Sequence, residues 1–185
     1  MSDRRSKLLV IDASVARSSG GSETLEPTAK ACRECLKTIL DVRHRMMMSQ
    51  PIREEWNKHQ SNYARTWRRN MYARKLIEIV NVPENESFRN KIRLKAANTK
   101  NMEAMIKDCH LIEAASIADR IVISRDDEVR DLFRSVAQDF KVLQGIAWIN
   151  PVDPAADVVA WLVAGANLND RPKLTPTTNE GDTGQ

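Results

Sequence analysis

The sequence predicts an α/β domain, a three-layer α/β/α sandwich around a mainly parallel sheet of four or five strands. Two observations carry this. Short, continuous apolar runs recur four times along the chain, and helical stretches separate them. Such runs, without polar alternation, suit strands covered on both faces. The 185 residues suffice for one such domain with a real core and are few for two.

Residues 7–12 form the first strand, which ends in Asp12. Residues 18–28, rich in Ser, Gly and Glu, are a loop. Apolar Ala31, Cys35, Ile39 and Val42 are spaced for a helix over 28–43. Residues 45–49, with Met46, Met47 and Met48, form the second strand. Pro51, tolerated in a first turn, opens one long helix to about Val80. Pro83 breaks it, and a polar, basic helix covers 84–97. Asn101 caps a helix reaching about Ala118. Residues 120–124 form the third strand. The helix over 126–138 carries acids in its first turn, as the helix dipole favours. Residues 145–149 form the fourth strand, and a last helix over 154–164 stops at Gly165. From Asn167 the chain is polar and Pro/Gly-containing, which predicts a disordered tail over 167–185. The domain proper then spans 1–166, with a long basic helical insertion at about 59–107.

Composition narrows the class. Hydrophobic residues make up 42% and charged residues 29%, the balance of a globular protein in water. The longest uncharged apolar run, 158–166, has nine residues, where a bilayer helix needs about 20. The apolar segment near the start is too short for a secretion signal. Three cysteines argue against a disulfide framework. The expected compartment is the cytoplasm. Cys32 and Cys35 lie inside a helix with no second pair, and read as two semi-buried thiols. His44, His59 and His110 are scattered, and no glycine loop cradles phosphate.

The net charge of +4 is unevenly spread. Residues 53–100 hold twelve Lys/Arg against five Glu, so the remainder is net acidic. A basic stretch of this kind fits a polyanion, nucleic acid first, or a solvated helix face. Arg65, Arg68, Arg69, Arg74 and Lys75 stand among Trp67 and Tyr72. Guanidinium groups beside rings suit phosphates and unstacked bases, although the rings equally suit a core.

In open parallel sheets, ligands bind beyond the carboxyl ends of the strands, where the strand order reverses. Asp12 ends the first strand, Ser124 ends the third, and Asp126 follows. Asp119 falls at the opposite edge. Asp108 has Met105, Leu111 and Ile112 three and four positions away, so it faces the core, where a carboxylate needs a partner. Glu113, about 140° around the same helix, reads as solvated. Glu55 shares its side with Ile52 and His59, and is preferred to Glu54 for an inward role. Carboxylates gathered at one edge repel each other, and a divalent cation relieves that. Oxygen donors with few histidines fit Mg²⁺ or Mn²⁺ better than Zn²⁺. Each acid taken alone reads better as a helix cap or a strand end, whereas all four sharing one role by accident is less expected.

These segments resemble the PIN-domain family of metal-dependent nucleases. Val10-Ile11-Asp12-Ala13-Ser14 resembles the family's opening strand, with its acid at Asp12 and a hydroxyl at Ser14. Ile52-Arg53-Glu54-Glu55-Trp56 resembles the segment that supplies a glutamate, here Glu55. The stretch from Asp108 to Ala115 resembles the helix bearing the third acid. Ile121-Val122-Ile123-Ser124-Arg125-Asp126 resembles the strand followed by the fourth. The resemblance covers most of residues 7–150. It implies a Mg²⁺ or Mn²⁺ site on Asp12, Glu55, Asp108 and Asp126, with Ser14 and Ser124 orienting ligands and Asp127 assisting Asp126 or substituting for it. It also implies cleavage of single-stranded RNA. Many small bacterial members are toxins of the VapC type, neutralised by an antitoxin protein and commonly dimeric, so an antitoxin and a second copy of the chain are implied partners. The basic insertion and the extension after Pro151 depart from the compact members. A non-catalytic module binding RNA or protein, and a nuclease acting on DNA, fit the same residues.

Overall fold

The computed structural model describes residues 6–176. In chain order its elements are β1 (Leu8–Ile11), α1 (Ala13–Ser18), α2 (Pro27–Asp41), β2 (Arg45–Met48), α3 (Gln50–His59), α4 (Asn62–Ala73) and β3 (Ile77–Ile79). There follow α5 (Glu86–Lys95), α6 (Thr99–Ile117), β4 (Ile121–Ile123), α7 (Asp127–Val136), α8 (Lys141–Gln144), β5 (Ala147–Ile149) and α9 (Val158–Val163). All five strands are parallel, in the order β3-β2-β1-β4-β5. The order steps outward from β1 to β3 and then restarts on the other side with β4. Right-handed crossovers therefore place the helices after β1 and β2 on one face and those after β3 and β4 on the other. Accordingly α2 packs on α4 and α9, while α6 packs on α5 and α7. The result is the α/β/α sandwich.

Helices on both faces explain the apolar runs. Every residue of β1, β4 and β5 is buried, as are Met46, Met47 and Met48. The exception is β3. At the sheet's edge Ile79 is 66% exposed, and Glu78 pairs with Arg45 at 2.6 Å. Three residues with that pattern carry no core-strand signal, so the expected helix over 51–80 is in fact two helices and a strand. The break between the helices has a cause. Ser61 caps α4 by accepting the Ala64 N–H, while its own N–H donates to the Ala16 carbonyl. The chain is thus diverted to dock on α1. The segment at 59–107 is therefore no all-helical insertion. It supplies β3, and Trp67 of α4 lies buried with its indole donating to the Leu36 carbonyl of α2.

Two further expectations change. The cap of α6 is Asn98, which accepts the Asn101 N–H at 2.9 Å. The tail is ordered as far as Pro176: Lys173 forms an antiparallel bridge with Ala147, the Leu174 N–H donates to the Ile146 carbonyl at 2.9 Å, and Leu174 is buried. A sheet edge offers unpaired backbone groups. Covering β5 needs one leucine and a few peptide bonds, which polar composition conceals. Residues 177–185 of the expected tail lie outside the described residues. No helix among the described residues is long and apolar enough to cross a membrane.

Candidate functional site

The strand order reverses between β1 and β4, and the cleft beyond their carboxyl ends is where a parallel sheet presents its ligand site. Asp12 lies one residue past β1, and its N–H donates to the Ile123 carbonyl of β4 at 2.9 Å. One carboxylate oxygen, Oδ2, accepts from the Ser14 hydroxyl and, at 2.8 Å, from the Ser124 hydroxyl. These hydroxyls are set in turn by backbone amides: Arg125 N–H donates to Ser14 Oγ and Asp126 N–H to Ser124 Oγ, each at 3.1 Å. Two short sequence motifs thus lock into one small network that aims Asp12.

Glu55 arrives from α3. The next residue, Trp56, is fully buried, stacks on Trp67 at 5.7 Å, and donates its indole N–H to the Ile11 carbonyl at 2.8 Å. With Trp56 inward, Glu55 and His59 share the flank facing the cleft, and His59 Nε2 lies 3.6 Å from Glu55 Oε2. Glu54 instead accepts from Gln50 in solvent. Asp126 caps α7, its Oδ1 accepting the Val129 N–H at 2.9 Å. Asp108, on α6, has neither hydrogen bond nor ion pair among the described side chains. Burial pushes its pKa up to about 7, helped by the nearby carboxylates of Asp12, Asp126 and Glu55 and opposed by Lys107.

Asp12, Glu55, Asp108 and Asp126 line one cavity of about 90 Å³, with Ser14, Arg17, His59, Lys107 and His110. The structure therefore brings together four acids separated by up to 114 positions of chain. Asp127 is not among them. Arg130 donates to its Oδ1 at 2.7 Å and Asn150 to its Oδ2 at 2.9 Å, so both of its oxygens are engaged outside the cleft. Asp119, at the opposite edge, accepts the Leu8 N–H.

The expected nucleic-acid residues divide. Arg68 donates to Asn57 of α3, and burial lowers its pKa with help from Arg53 and Arg65, so these three cations lie close together. At 3.6 residues per turn, Arg53 and Asn57 occupy the flank of α3 roughly opposite Glu55 and His59. The cluster thus lies across α3 from the cleft and does not line it. Arg69 is exposed on α4. Arg74 and Lys75 sit where α4 leads into β3, at the amino edge of the sheet, and do not reach the cleft. Trp67 is core; Tyr72 remains 40% exposed.

Three residues of the cleft were not singled out from sequence. Arg17 follows Ser14 by one helical turn, and Lys107 and His110 flank Asp108, so proximity to the motifs was the available signal. His110 Nδ1 lies 2.9 Å from the Lys107 carbonyl, which only accepts, so this nitrogen carries the proton and Nε2 is a free acceptor. Burial lowers its pKa against the pull of that carbonyl and of Asp12 and Glu55. The two other histidines are settled by neighbours: His59 joins Glu55, and His44 braces Lys7 to Leu162.

The donor chemistry suits a hard divalent cation. Four carboxylates face one small cavity, their repulsion is felt at Asp108, and no arginine or lysine among the described residues forms an ion pair with any of them. The placement is looser than the chemistry: among the described residues no three Asp, Glu, His or Cys side chains are grouped tightly enough to hold a metal ion. No family model matches the chain, and no match was found among curated proteins or solved structures.

Proposed function

We propose that this cleft is the active site of a Mg²⁺- or Mn²⁺-dependent endoribonuclease acting on single-stranded RNA. The observation that carries the reading is the convergence of Asp12, Glu55, Asp108 and Asp126 on one cavity at the reversal of strand order, with no arginine or lysine among the described residues paired to them. These four would hold the cation. When bound, it lowers the pKa of an attacking water and offsets charge on the scissile phosphate and the leaving oxygen. The protein's own groups do the rest. Ser14 and Ser124 fix Asp12. Arg17 and Lys107 on the rim attract the phosphates. His110 Nε2 is placed to accept a proton in the cleft. Arg53, Arg65 and Arg68 hold the strand where it leaves across α3. The PIN-domain resemblance adds a neutralising antitoxin protein and a second copy of the chain as partners, and cytoplasmic RNA as substrate.

The spacing of the donors favours a second reading, a module that binds RNA or protein without cleaving it. Incubation of single-stranded RNA and DNA with Mn²⁺ separates the two. RNA cleavage that falls at least about 100-fold in Asp12→Asn and Asp108→Asn supports the nuclease. Intact RNA, with no rise in melting temperature on adding Mn²⁺, establishes the binding module. Preferential loss of DNA reassigns the substrate.

A further inference from the structure

A second cavity, of about 310 Å³, opens along the outer side of β5. The stretch that pairs along that strand, ending at Leu174, forms one wall and α7 another. Arg130, Arg134, Arg171 and Lys173 line it against a single carboxylate, Asp153. Arg130 is engaged by Asp127 and Asp131, and Arg134 lies 3.9 Å from Asp131. Arg171 and Lys173 form no ion pair among the described residues. The Arg171 guanidinium stacks over Trp161 at 4.9 Å, and Lys173 Nζ reaches only carbonyls, those of Leu168 at 3.2 Å and Arg171 at 3.4 Å.

The same wall contains unmet donors. Arg134 Nε, Arg171 Nε and Trp148 Nε1 are all shut from solvent with no acceptor among the described residues. Trp148 is the telling case, because it is only 4% exposed. The other three indoles each donate to a backbone carbonyl: Trp56 to Ile11, Trp67 to Leu36 and Trp161 to Asn167. Buried donors are almost always satisfied. The lining is cationic, and the unmet groups that lie beneath it are donors, so the cavity calls for an anion with several acceptor oxygens. A phosphoryl group has that chemistry. The volume lies at the lower end of the ~300–1,000 Å³ typical of small-molecule sites, more than a bare anion fills. Trp148, Pro172 and Leu174 add an apolar surface for the rest of the ligand.

We infer that this cavity binds the phosphoryl group of a nucleotide-sized ligand, with Arg134, Arg171 and Lys173 as its donors and Trp148 in its wall. The inference stands apart from the hydrolase reading, since none of these residues lines the acid cleft. The test follows the four indole N–H signals of the full-length, ¹⁵N-labelled protein by NMR, with divalent metal chelated. Adenosine 5′-monophosphate, inorganic phosphate and adenosine serve as probes, and Trp148→Phe identifies the signal. The Trp148 signal is expected to move saturably with the nucleotide, at least tenfold more weakly with inorganic phosphate, and not with adenosine. Lys173→Gln and Arg171→Gln are each expected to weaken the nucleotide response at least tenfold. Lys173 is the safer substitution, because Arg171 also packs on Trp161. A stationary Trp148 signal, an equal response to adenosine, or a Lys173→Gln protein that responds like the parent overturns the phosphoryl site. Equal affinity for inorganic phosphate overturns the nucleotide-sized ligand.

Discussion

Asp108 and Glu113 stand five residues apart on one helix, and the fold treats them in opposite ways. Glu113 is the more deeply buried of the two. Its carboxylate receives two guanidinium hydrogen bonds from Arg89 and the Asn85 N–H, all at 2.8 Å. Burial alone would raise its pKa, yet Arg89 and the Asn85 amide outweigh burial and hold it below the usual glutamate range. Asp108 is less shielded from solvent but has no hydrogen bond or ion pair among the described side chains, and burial together with the neighbouring acids outweighs Lys107 and pushes its pKa up to about 7. Burial therefore does not decide whether a carboxylate serves architecture or chemistry. Its partners do. A satisfied carboxylate is finished as a structural element, whereas an unsatisfied one is available to a ligand.

The largest effect that can break this contrast comes from stranding Glu113. Arg89→Met leaves an unpaired buried charge, for which a loss of about 3–5 kcal/mol is expected. In this size class that lowers Tm by about 10 °C, read by thermal unfolding at pH 7. The loss should shrink towards pH 5, as the stranded carboxyl takes up a proton. Asp108→Asn is expected to have the opposite sign. In metal-free protein above pH 7 it removes a repelled charge and raises stability by about 1–2 kcal/mol, while nuclease activity is lost. A fall in Tm in that variant would remove Asp108 from the unsatisfied class.

The pH dependence sharpens the same contrast. The folded-state pKa of Asp108 lies above its ordinary 3.8, so the native protein holds the extra proton between about pH 4 and 7. Its contribution to metal-free stability therefore falls as pH rises through that window. Glu113 runs the other way. Its folded pKa is depressed below 4.5, so its contribution is full above that value and is lost as pH falls below it. Denaturant titrations without metal should show maximal stability on the acid side of neutrality, and saturating Mn²⁺ should erase the decline towards pH 7, because the cation competes with the proton on Asp108. The smallest effect is reserved for Asp127→Asn. With its carboxylate held by Arg130 and Asn150, it should change RNA cleavage less than about threefold, measured beside Asp12→Asn.

Much of this was legible in the amino-acid order, and for definite reasons. Strands announce themselves when both faces are covered, as β1, β2, β4 and β5 do, and β3 escaped because its three residues are left partly exposed and one of them is charged. Asp12, Glu55, Asp108 and Asp126 were found from strand ends and helical neighbours, which are local properties. Glu113 was misread as solvated because its partner is 24 positions away on a different helix. Asp127 looked equivalent to Asp126 until the competing hold of Asn150 was visible. Arg74 and Lys75 belonged to the right segment but the wrong end of it, since α4 runs away from the cleft.

The bond from Trp56 to the Ile11 carbonyl has a reach beyond its own burial. Its donor sits next to Glu55 and its acceptor next to Asp12, so two acids separated by 43 positions are joined through a single strut. Any tilt of α3 carries both ends together, and the gap between those carboxylates is thereby tuned from beneath, by core residues that never meet a substrate.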